Sequence, residues 1–140
     1  MPVRNSAKAL VLHEGKILVN RCTSRFGDYY ALPGGGQREG ETLLEAVRRE
    51  LLEETGAVGH SYYPLGQLYP SPGYCAEIIH LYFCRVESVE QPSPDEDEFL
   101  SIEKIPLEKA VEMVLQNQIP DAKTQTAVLK TALLLKRGTV

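Results

Sequence analysis

Residues 31–57 read ALPGGGQREGETLLEAVRRELLEETGA, a glycine-rich turn followed by an acidic segment with helical periodicity. Thr42 and Glu45 stand at the spacing of a capping box, which predicts that a helix begins there. Gly56 can adopt the left-handed conformation that commonly follows a helix, so the helix is predicted to end at Thr55. Its apolar residues recur at helical spacing and predict a buried stripe of Leu43, Leu44, Val47 and Leu51.

Three carboxylates share the opposite face of this predicted helix. Glu50, Glu53 and Glu54 stand at positions i, i+3 and i+4, so their side chains converge on one patch of the helix surface. Like charges at this spacing cost about 0.2–0.5 kcal/mol per pair, and the C-terminal end of a helix disfavours acids further. Mg²⁺ relieves such crowding because it takes carboxylate oxygens as ligands. The pattern favours a divalent-metal site over a solvated acidic face, with Arg49 holding the Glu53 carboxylate.

The same segment carries a set of residues at fixed spacing: Gly35, Glu41, Arg49, Glu50, Leu51, Glu53, Glu54 and Gly56. This set resembles the Nudix box at every fixed position, with the small Ala57 in the last apolar slot. The resemblance implies an α/β fold, namely an α/β/α sandwich with a mixed β-sheet. It also implies hydrolysis of a nucleoside diphosphate linked to another moiety, with Mg²⁺ or Mn²⁺ bound by Gly35, Glu50, Glu53 and Glu54.

Hydrolysis of a pyrophosphate also needs a base that takes a proton from the attacking water. In the Nudix family this base is either a box glutamate or a glutamate from a loop late in the chain. The acidic segment QPSPDEDE supplies Glu96 and Glu98 as candidates for the base or for an extra metal ligand, and a solvated loop is the alternative. The predicted catalytic residues are Arg49, Glu50, Glu53, Glu54, Glu96 and Glu98.

Two further stretches resemble the ADP-ribose pyrophosphatases of the Nudix family. SPGYCAE contains Pro72 and Glu77, and the C-terminal part runs from DEDEFLSIEKIP to DAKT. The implied reaction converts ADP-ribose and water to AMP and ribose 5-phosphate, with Glu77 contacting the ribose or the base by analogy. The PGGG turn resembles the broader hydrolase group more closely. Nucleoside triphosphates, other diphosphate-linked compounds and a nucleotide-sensing module without catalysis therefore stay open.

Three residues before the glycine turn are further candidates for binding substrate. Arg21 and Arg25 can face a phosphate, with ordinary solvated arginines as the alternative. Tyr30, like its neighbour Tyr29, can stack on a base, with simple packing as the alternative. The predicted substrate-binding residues are Arg21, Arg25, Tyr30, Pro72 and Glu77.

The composition is that of an ordinary globular protein. The chain has 140 residues, 43% of them hydrophobic and 24% charged, which predicts one domain spanning residues 1–140. A net charge of −4 argues against a binder of nucleic acid polymers. No apolar run approaches the roughly 18 residues of a membrane helix, and the three cysteines lack metal-ligand spacing. We expect a cytoplasmic protein that acts on a small molecule, with a homodimer left open.

Hydrophobic periodicity places the remaining elements. Strands are predicted at Ala7–His13, Lys16–Arg21, Tyr30–Leu32, Ile78–Val86 and Phe99–Ile105, and within His60–Tyr69. Helices are predicted from Pro106 to about Leu115, with proline at the first helical position, and after Asp121 to about Lys136. Pro64 and Gly66 predict an irregular or edge strand, and the β-rich run Ile78–Val86 predicts a central one.

Overall fold

The computed structural model describes residues 2–89 and 101–140. Over these residues the chain forms seven β-strands and three α-helices: β1 (Arg4–His13), β2 (Lys16–Ser24), β3 (Gly27–Ala31), β4 (Gly34–Gly36), α1 (Leu43–Thr55), β5 (Ala57–Leu68), β6 (Glu77–Val89), β7 (Ser101–Pro106), α2 (Leu107–Leu115) and α3 (Ala122–Lys136).

The strands form one mixed sheet in the order β3-β2-β1-β6-β5, with β4 paired to β1 and β7 paired to β2. β1 and β6 run parallel, whereas the other pairs are antiparallel. α1 covers one face of the sheet, and α2 and α3 cover the other. The predicted α/β/α sandwich with a mixed sheet is therefore confirmed.

Two hydrophobic clusters hold these layers together. Successive residues of β1 alternate between the clusters because side chains of a strand point to opposite faces in turn. Ala9 and Val11 pack towards Val47 and Leu51 of α1. Leu10 and Leu12 pack in the cluster on the other face, which includes Ala127 and Val128 of α3. β1 is thus buried on both sides, and it carries the site described below.

The sheet opens between β1 and β2. The two strands pair only near their hairpin, from Val11↔Leu18 to His13↔Lys16. Beyond that point β4 takes the place beside β1, and β3 takes the place beside β2. Gly34 allows β4 to approach β1 this closely, because a Cβ atom there would overlap the Ala7 carbonyl oxygen. The glycine segment is therefore a short strand and not only the turn that the sequence suggested.

Both ends of α1 are as predicted, but its buried face is not entirely so. Thr42 and Glu45 form the capping box, and Gly56 follows in the left-handed conformation with φ 72°. Val47 and Leu51 are buried. The prediction for Leu44 was wrong, since its side chain is 37% exposed and Ala46 takes the buried position. A helix that packs on one strand layer buries a narrower stripe than the hydrophobic pattern indicated.

The other elements differ from prediction mainly at their ends. β3 begins at Gly27 and not at Tyr30, because the hairpin continues to the pair Ser24↔Gly27. Pro106 is the N-cap of α2 and not its first helical residue. β6 lies inside the sheet as predicted, and β5 is an edge strand with register shifts around Pro64 and Gly66.

In the part of the chain that the structure describes, no helix has the length and apolar character needed to cross a membrane.

Candidate active site

The helix α1 presents its carboxylates to the glycine strand β4. The Thr42 side chain accepts a hydrogen bond from the Glu45 backbone N–H, and the Glu45 carboxylate accepts one from the Thr42 backbone N–H. This capping box fixes where α1 begins and hence the direction in which each later side chain points. α1 contacts β1 and β4, so the carboxylates of Glu50 and Glu54 come to lie against the glycines.

Arg49 is the centre of a network of charge-assisted hydrogen bonds. Its Nε donates to Glu41 at 2.7 Å and its Nη1 to Glu50 at 2.8 Å, while Glu53 lies 3.6 Å from Nη1. Its Nη2 donates to the Gly36 carbonyl oxygen at 3.2 Å. The predicted contact between Arg49 and Glu53 is present, but the shorter bonds go to Glu41 and Glu50.

This network shifts the protonation equilibrium of Glu41. Hydrogen bonds from the Arg49 guanidinium, and then one from the Arg38 backbone N–H, lower the pKa of Glu41 from 4.5 to about 2. The same bond to Glu41 raises the pKa of Arg49. Both groups stay charged at neutral pH, and Arg49 holds two elements, the segment before α1 and α1 itself, in a fixed relation.

Glu54 binds the backbone of the glycine strand. Its side chain is buried, and its Oε2 accepts a hydrogen bond from the Gly34 backbone N–H at 2.8 Å. On the other side of the same residue, the Lys8 ammonium donates to the Gly34 carbonyl oxygen at 2.9 Å. Gly34 is thus held by an anion through its N–H and by a cation through its carbonyl group.

Glu50 packs against the next glycine. A Cβ atom added to Gly35 would lie 2.7 Å from the carboxyl carbon of Glu50, which leaves room only for glycine while Glu50 keeps its position. The predicted site residues Gly35, Glu50, Glu53 and Glu54 are therefore brought together in one region by α1 and β4.

Lys8 of β1 is a second cation in this region, in addition to Arg49. Burial lowers the pKa of its ammonium group, while the nearby carboxylate of Glu54, and less strongly that of Glu50, act to raise it. Asp121 and Lys123, at the start of α3, also act on Lys8. The pKa of Lys8 is therefore influenced by charges of α1 and by charges at the start of α3.

Among residues 2–89 and 101–140, no three His, Cys, Asp or Glu side chains are placed to hold a metal ion together. The contacts give the reason: Glu50 and Glu53 are turned to Arg49, and Glu54 is bonded to Gly34. The chemistry of the donors nevertheless fits Mg²⁺ or Mn²⁺, since carboxylate oxygens and a backbone carbonyl group are hard oxygen ligands. The carboxylates of this region, Glu41, Glu50, Glu53 and Glu54, also outnumber its cations, Arg49 and Lys8.

The predicted substrate residues Pro72 and Glu77 line one cavity. Its volume is about 230 Å³, and its lining also includes Val3, Tyr69 and Cys75. The Glu77 carboxylate is 3.4 Å from Arg4 Nη1 and accepts a hydrogen bond from Ser6 at 3.4 Å. Arg4 in turn lies against Gly36, so the Arg4–Glu77 ion pair connects the lining of this cavity to the glycine strand.

Arg21 and Tyr30 lie at a different place, on the paired strands β2 and β3. They line a small cavity of about 80 Å³. Arg21 is 3.3 Å from the carboxylate of Asp28 and 4.0 Å from that of Glu103, so its charge already has protein partners. Burial, and then the nearby Glu103, raise the pKa of Tyr30.

The remaining predicted site residues are Arg25, Glu96 and Glu98. Arg25 lies at the tip of the β2–β3 hairpin, where its guanidinium stacks on Phe26 with 5.1 Å between the guanidinium carbon and the ring centroid. Glu96 and Glu98 lie outside the residues that the structure describes. Their role as base or metal ligand stays a prediction.

Sequence reasoning missed two members of the site, Lys8 and the backbone of Gly34. Lys8 stands in the run AKALVLH, where a single cation interrupts a buried strand. This interruption could have indicated that Lys8 belongs to a site, because a buried lysine needs a partner. The partner itself was not visible, since the register that sets Lys8 opposite Gly34 joins residues far apart in the chain.

Two features define the class of this protein. A mixed sheet lies between two helical layers, and one helix places its arginine and glutamates against a glycine strand. The model of the NUDIX domain matches residues 2–127, and the chain belongs to that family. Among solved structures, the crystal structure of an ADP compounds hydrolase is similar, with a TM-score of 0.85 and 21% identity, covering 99% of this chain and 77% of that one. That likeness shows the fold.

Curated relatives are similar over part of their length. An ADP-ribose pyrophosphatase of Bacillus subtilis (strain 168) is 36% identical over 99 residues, which is 69% of this chain and 54% of the relative. A GDP-mannose pyrophosphatase of Yersinia enterocolitica is 33% identical over 92 residues, or 64% of this chain and 48% of the relative. The chain thus spans about half the length of the curated relatives it matches.

Proposed function

We propose that this chain is a metal-dependent pyrophosphohydrolase that cleaves a nucleoside diphosphate linked to another moiety. The observation that carries the proposal is the contact of Glu50 and Glu54 with the glycine strand, in which Arg49 holds Glu50. Acidic side chains that exist only to solvate a helix would not be bonded to backbone groups of another element. The preferred substrate is ADP-ribose or an ADP-sugar, which would give AMP and a sugar phosphate.

Each residue has a defined part in this proposal. Glu50, Glu53 and Glu54, with a glycine carbonyl group, would hold Mg²⁺ or Mn²⁺, and Arg49 would fix the orientation of Glu50 and Glu53. The bound ion would lower the pKa of a coordinated water and neutralise charge on the diphosphate. A carboxylate must accept the proton of the attacking water, and the candidates are Glu96, Glu98 or a box glutamate.

The substrate class is supported by the relatives and by one cavity. The two named relatives are a pyrophosphatase of ADP-ribose and one of GDP-mannose, both purine nucleoside diphosphates linked to a sugar. The cavity that Pro72 and Glu77 line is connected to the glycine strand through Arg4 and would hold the sugar or the base. Arg21, Arg25 and Tyr30 stay candidates for contacts with phosphate or base. GDP-mannose is the second candidate substrate.

The test is a panel of ADP-ribose, ADP-sugars, GDP-mannose, dinucleotides and deoxynucleoside triphosphates, each with Mg²⁺ or Mn²⁺, with phosphate-ester products measured. We expect turnover of a sugar-linked diphosphate, and a loss of about a hundred-fold or more in the Glu53→Gln or Glu54→Gln variant. Glu112→Gln, at an exposed position of α2, is the matched control and should behave as the wild type.

A module that senses nucleotides without cleaving them is the competing proposal. It predicts tight binding of one panel member by calorimetry and no product with either metal. That result would overturn the proposed hydrolase activity. A homodimer, a cytoplasmic location and a single domain over residues 1–140 stay predictions, and the first is checked by light scattering of the purified chain.

A further inference from the structure

The pairing of β1 with β4 leaves the backbone of Gly34 pointing away from β1. The Ala9 N–H donates to the Pro33 carbonyl group, and the Gln37 N–H donates to that of Asn5. Hydrogen-bonded and non-hydrogen-bonded pairs alternate along an antiparallel ladder, so the pair Lys8↔Gly34 is a non-hydrogen-bonded one. The N–H and carbonyl groups of Gly34 therefore face the opening in the sheet, where side chains must satisfy them.

Lys8 donates to the Gly34 carbonyl group, and the path of its side chain requires glycine at position 34. A Cβ atom at Gly34 would lie 2.7 Å from the Cα and 2.9 Å from the Cδ of Lys8, so the lysine stem runs along the bare Cα of the glycine. Its ammonium group ends 2.9 Å from the Gly34 oxygen. The hydrogen bond and the contact with Gly34 hold the charge at one place.

Gly34 also brings this ammonium group near a carboxylate of α1. Its carbonyl oxygen accepts from Lys8 at 2.9 Å, and its N–H donates to Glu54 at 2.8 Å, so the two side chains bind the backbone of one residue. Burial lowers the pKa of Lys8, whereas the carboxylates of Glu54 and Glu50 act to raise it. Lys123 and Asp121 of α3 act in opposite directions. A carbonyl oxygen and carboxylates are the ligands that a divalent cation would take, so the ammonium group and the ion are attracted by the same acceptors.

We propose that the Lys8 ammonium group, bound to the Gly34 carbonyl oxygen, repels a divalent cation from this site, so that its charge sets how tightly the chain binds the cation. The inference rests on the proposed function, because it takes Glu50 and Glu54 as metal ligands. In the absence of metal, Lys8 binds the Gly34 carbonyl oxygen, Glu54 binds the Gly34 N–H, and Glu50 pairs with Arg49. A divalent ion that binds here must approach the Lys8 charge, so its affinity is lower than the carboxylates alone would give. Lys8 is a positioning residue and does not react.

The test measures binding of Mn²⁺ to metal-free protein by electron paramagnetic resonance, without substrate. Lys8→Met removes the charge but keeps the length of the buried stem. Because unit charges a few ångströms from a divalent ion repel it strongly even at high effective dielectric, we expect Lys8→Met to bind Mn²⁺ about ten-fold more tightly or better. Lys16→Met, at an exposed position on β2, removes the same charge elsewhere and should leave the affinity within about two-fold.

A second neutral variant covers the case in which Lys8→Met does not fold. Lys8→Gln retains a donor for the Gly34 oxygen and should show the same tightening. Unchanged or weaker Mn²⁺ binding in the folded neutral variants would overturn the role of Lys8, whatever the wild type hydrolyses. Failure of the wild type to turn over the substrate panel would instead overturn the proposed function, so the two failures are told apart.

Discussion

At the scale of single residues, Arg49 has the most demanding geometry. Its guanidinium group donates at once to Glu41, Glu50 and the Gly36 carbonyl group, which a lysine ammonium on a flexible stem does not reproduce. Arg49→Lys should therefore reduce kcat by about 10–100-fold, as is typical when a group that orients metal ligands is replaced. Arg48→Lys is the control at the adjacent helix position. Wild-type kcat in Arg49→Lys would contradict the role assigned to the guanidinium fork.

Glu41 gives a prediction about pH and stability. Its pKa falls from 4.5 to about 2 in the folded chain, because Arg49 bonds to the charged form. A lowered pKa stabilises the folded state above pH 4.5, and this contribution is lost as the pH falls towards 2. Urea unfolding should thus show a lower free energy of unfolding for Glu41→Gln than for wild type above pH 4.5, and a difference that is lost as the pH falls through about 2. Glu39→Gln, at an exposed position, is the control variant.

The same residues show what local spacing can and cannot predict. Glu50, Glu53 and Glu54 were found because helical periodicity alone puts them on one face, and Arg49 because it lies one turn before Glu53. Lys8 was not found, because its role depends on a ladder that pairs β1 with β4. The resemblance to the Nudix box implied Gly35 as the metal-binding glycine, which stays a prediction, whereas the contacts with Lys8 and Glu54 are made by Gly34.

At the scale of elements, the strand β4 and the helix α1 depend on each other. In Gly35→Ala the new Cβ atom would lie 2.7 Å from the Glu50 carboxyl carbon. The end of a flexible side chain can move aside, so we expect this variant to fold with a melting temperature near that of wild type but to lose most activity. Gly73→Ala, where a Cβ atom meets nothing within 4 Å, is the control for both measurements.

Gly34→Ala should behave differently from Gly35→Ala. Its Cβ atom would meet the backbone of Ala7 and Lys8, which cannot move without breaking the β1–β4 pairing, and its φ of 141° is strained for alanine. We expect a loss of stability of at least about 2 kcal/mol, measured by urea unfolding. Near-wild-type stability in Gly34→Ala would contradict the close approach of the two strands.

The ends of α1 were predictable from the sequence, whereas the nature of β4 was not. A capping box and a glycine stop act over a few residues, so Thr42 and Gly56 can be read directly. Three glycines have no side-chain pattern that would distinguish a strand from a turn. Their pairing follows from the separation of β1 and β2, which is a property of the assembled sheet.

At the scale of the whole molecule, the site lies at the opening of the sheet, between α1 and β4. Glu50 and Glu54 belong to α1 on one face, and α3 packs on β1 from the other face. A cation bound between α1 and β4 would link a helix to the sheet, so it should stabilise the fold as a unit and not one helix alone.

Mg²⁺ that binds only the folded chain stabilises it by mass action. At a hundred-fold excess over Kd the gain is about 2.7 kcal/mol, which should raise the melting temperature by roughly 6–10 °C in a chain of this size. Scanning calorimetry with and without Mg²⁺, followed by addition of a chelator, measures the shift and its reversal. Glu50→Gln/Glu54→Gln should remove the shift, because the carboxylates that attract the ion become neutral while their size is kept. An equal rise in this double variant would place the ion elsewhere on the chain and would contradict a metal site between α1 and β4.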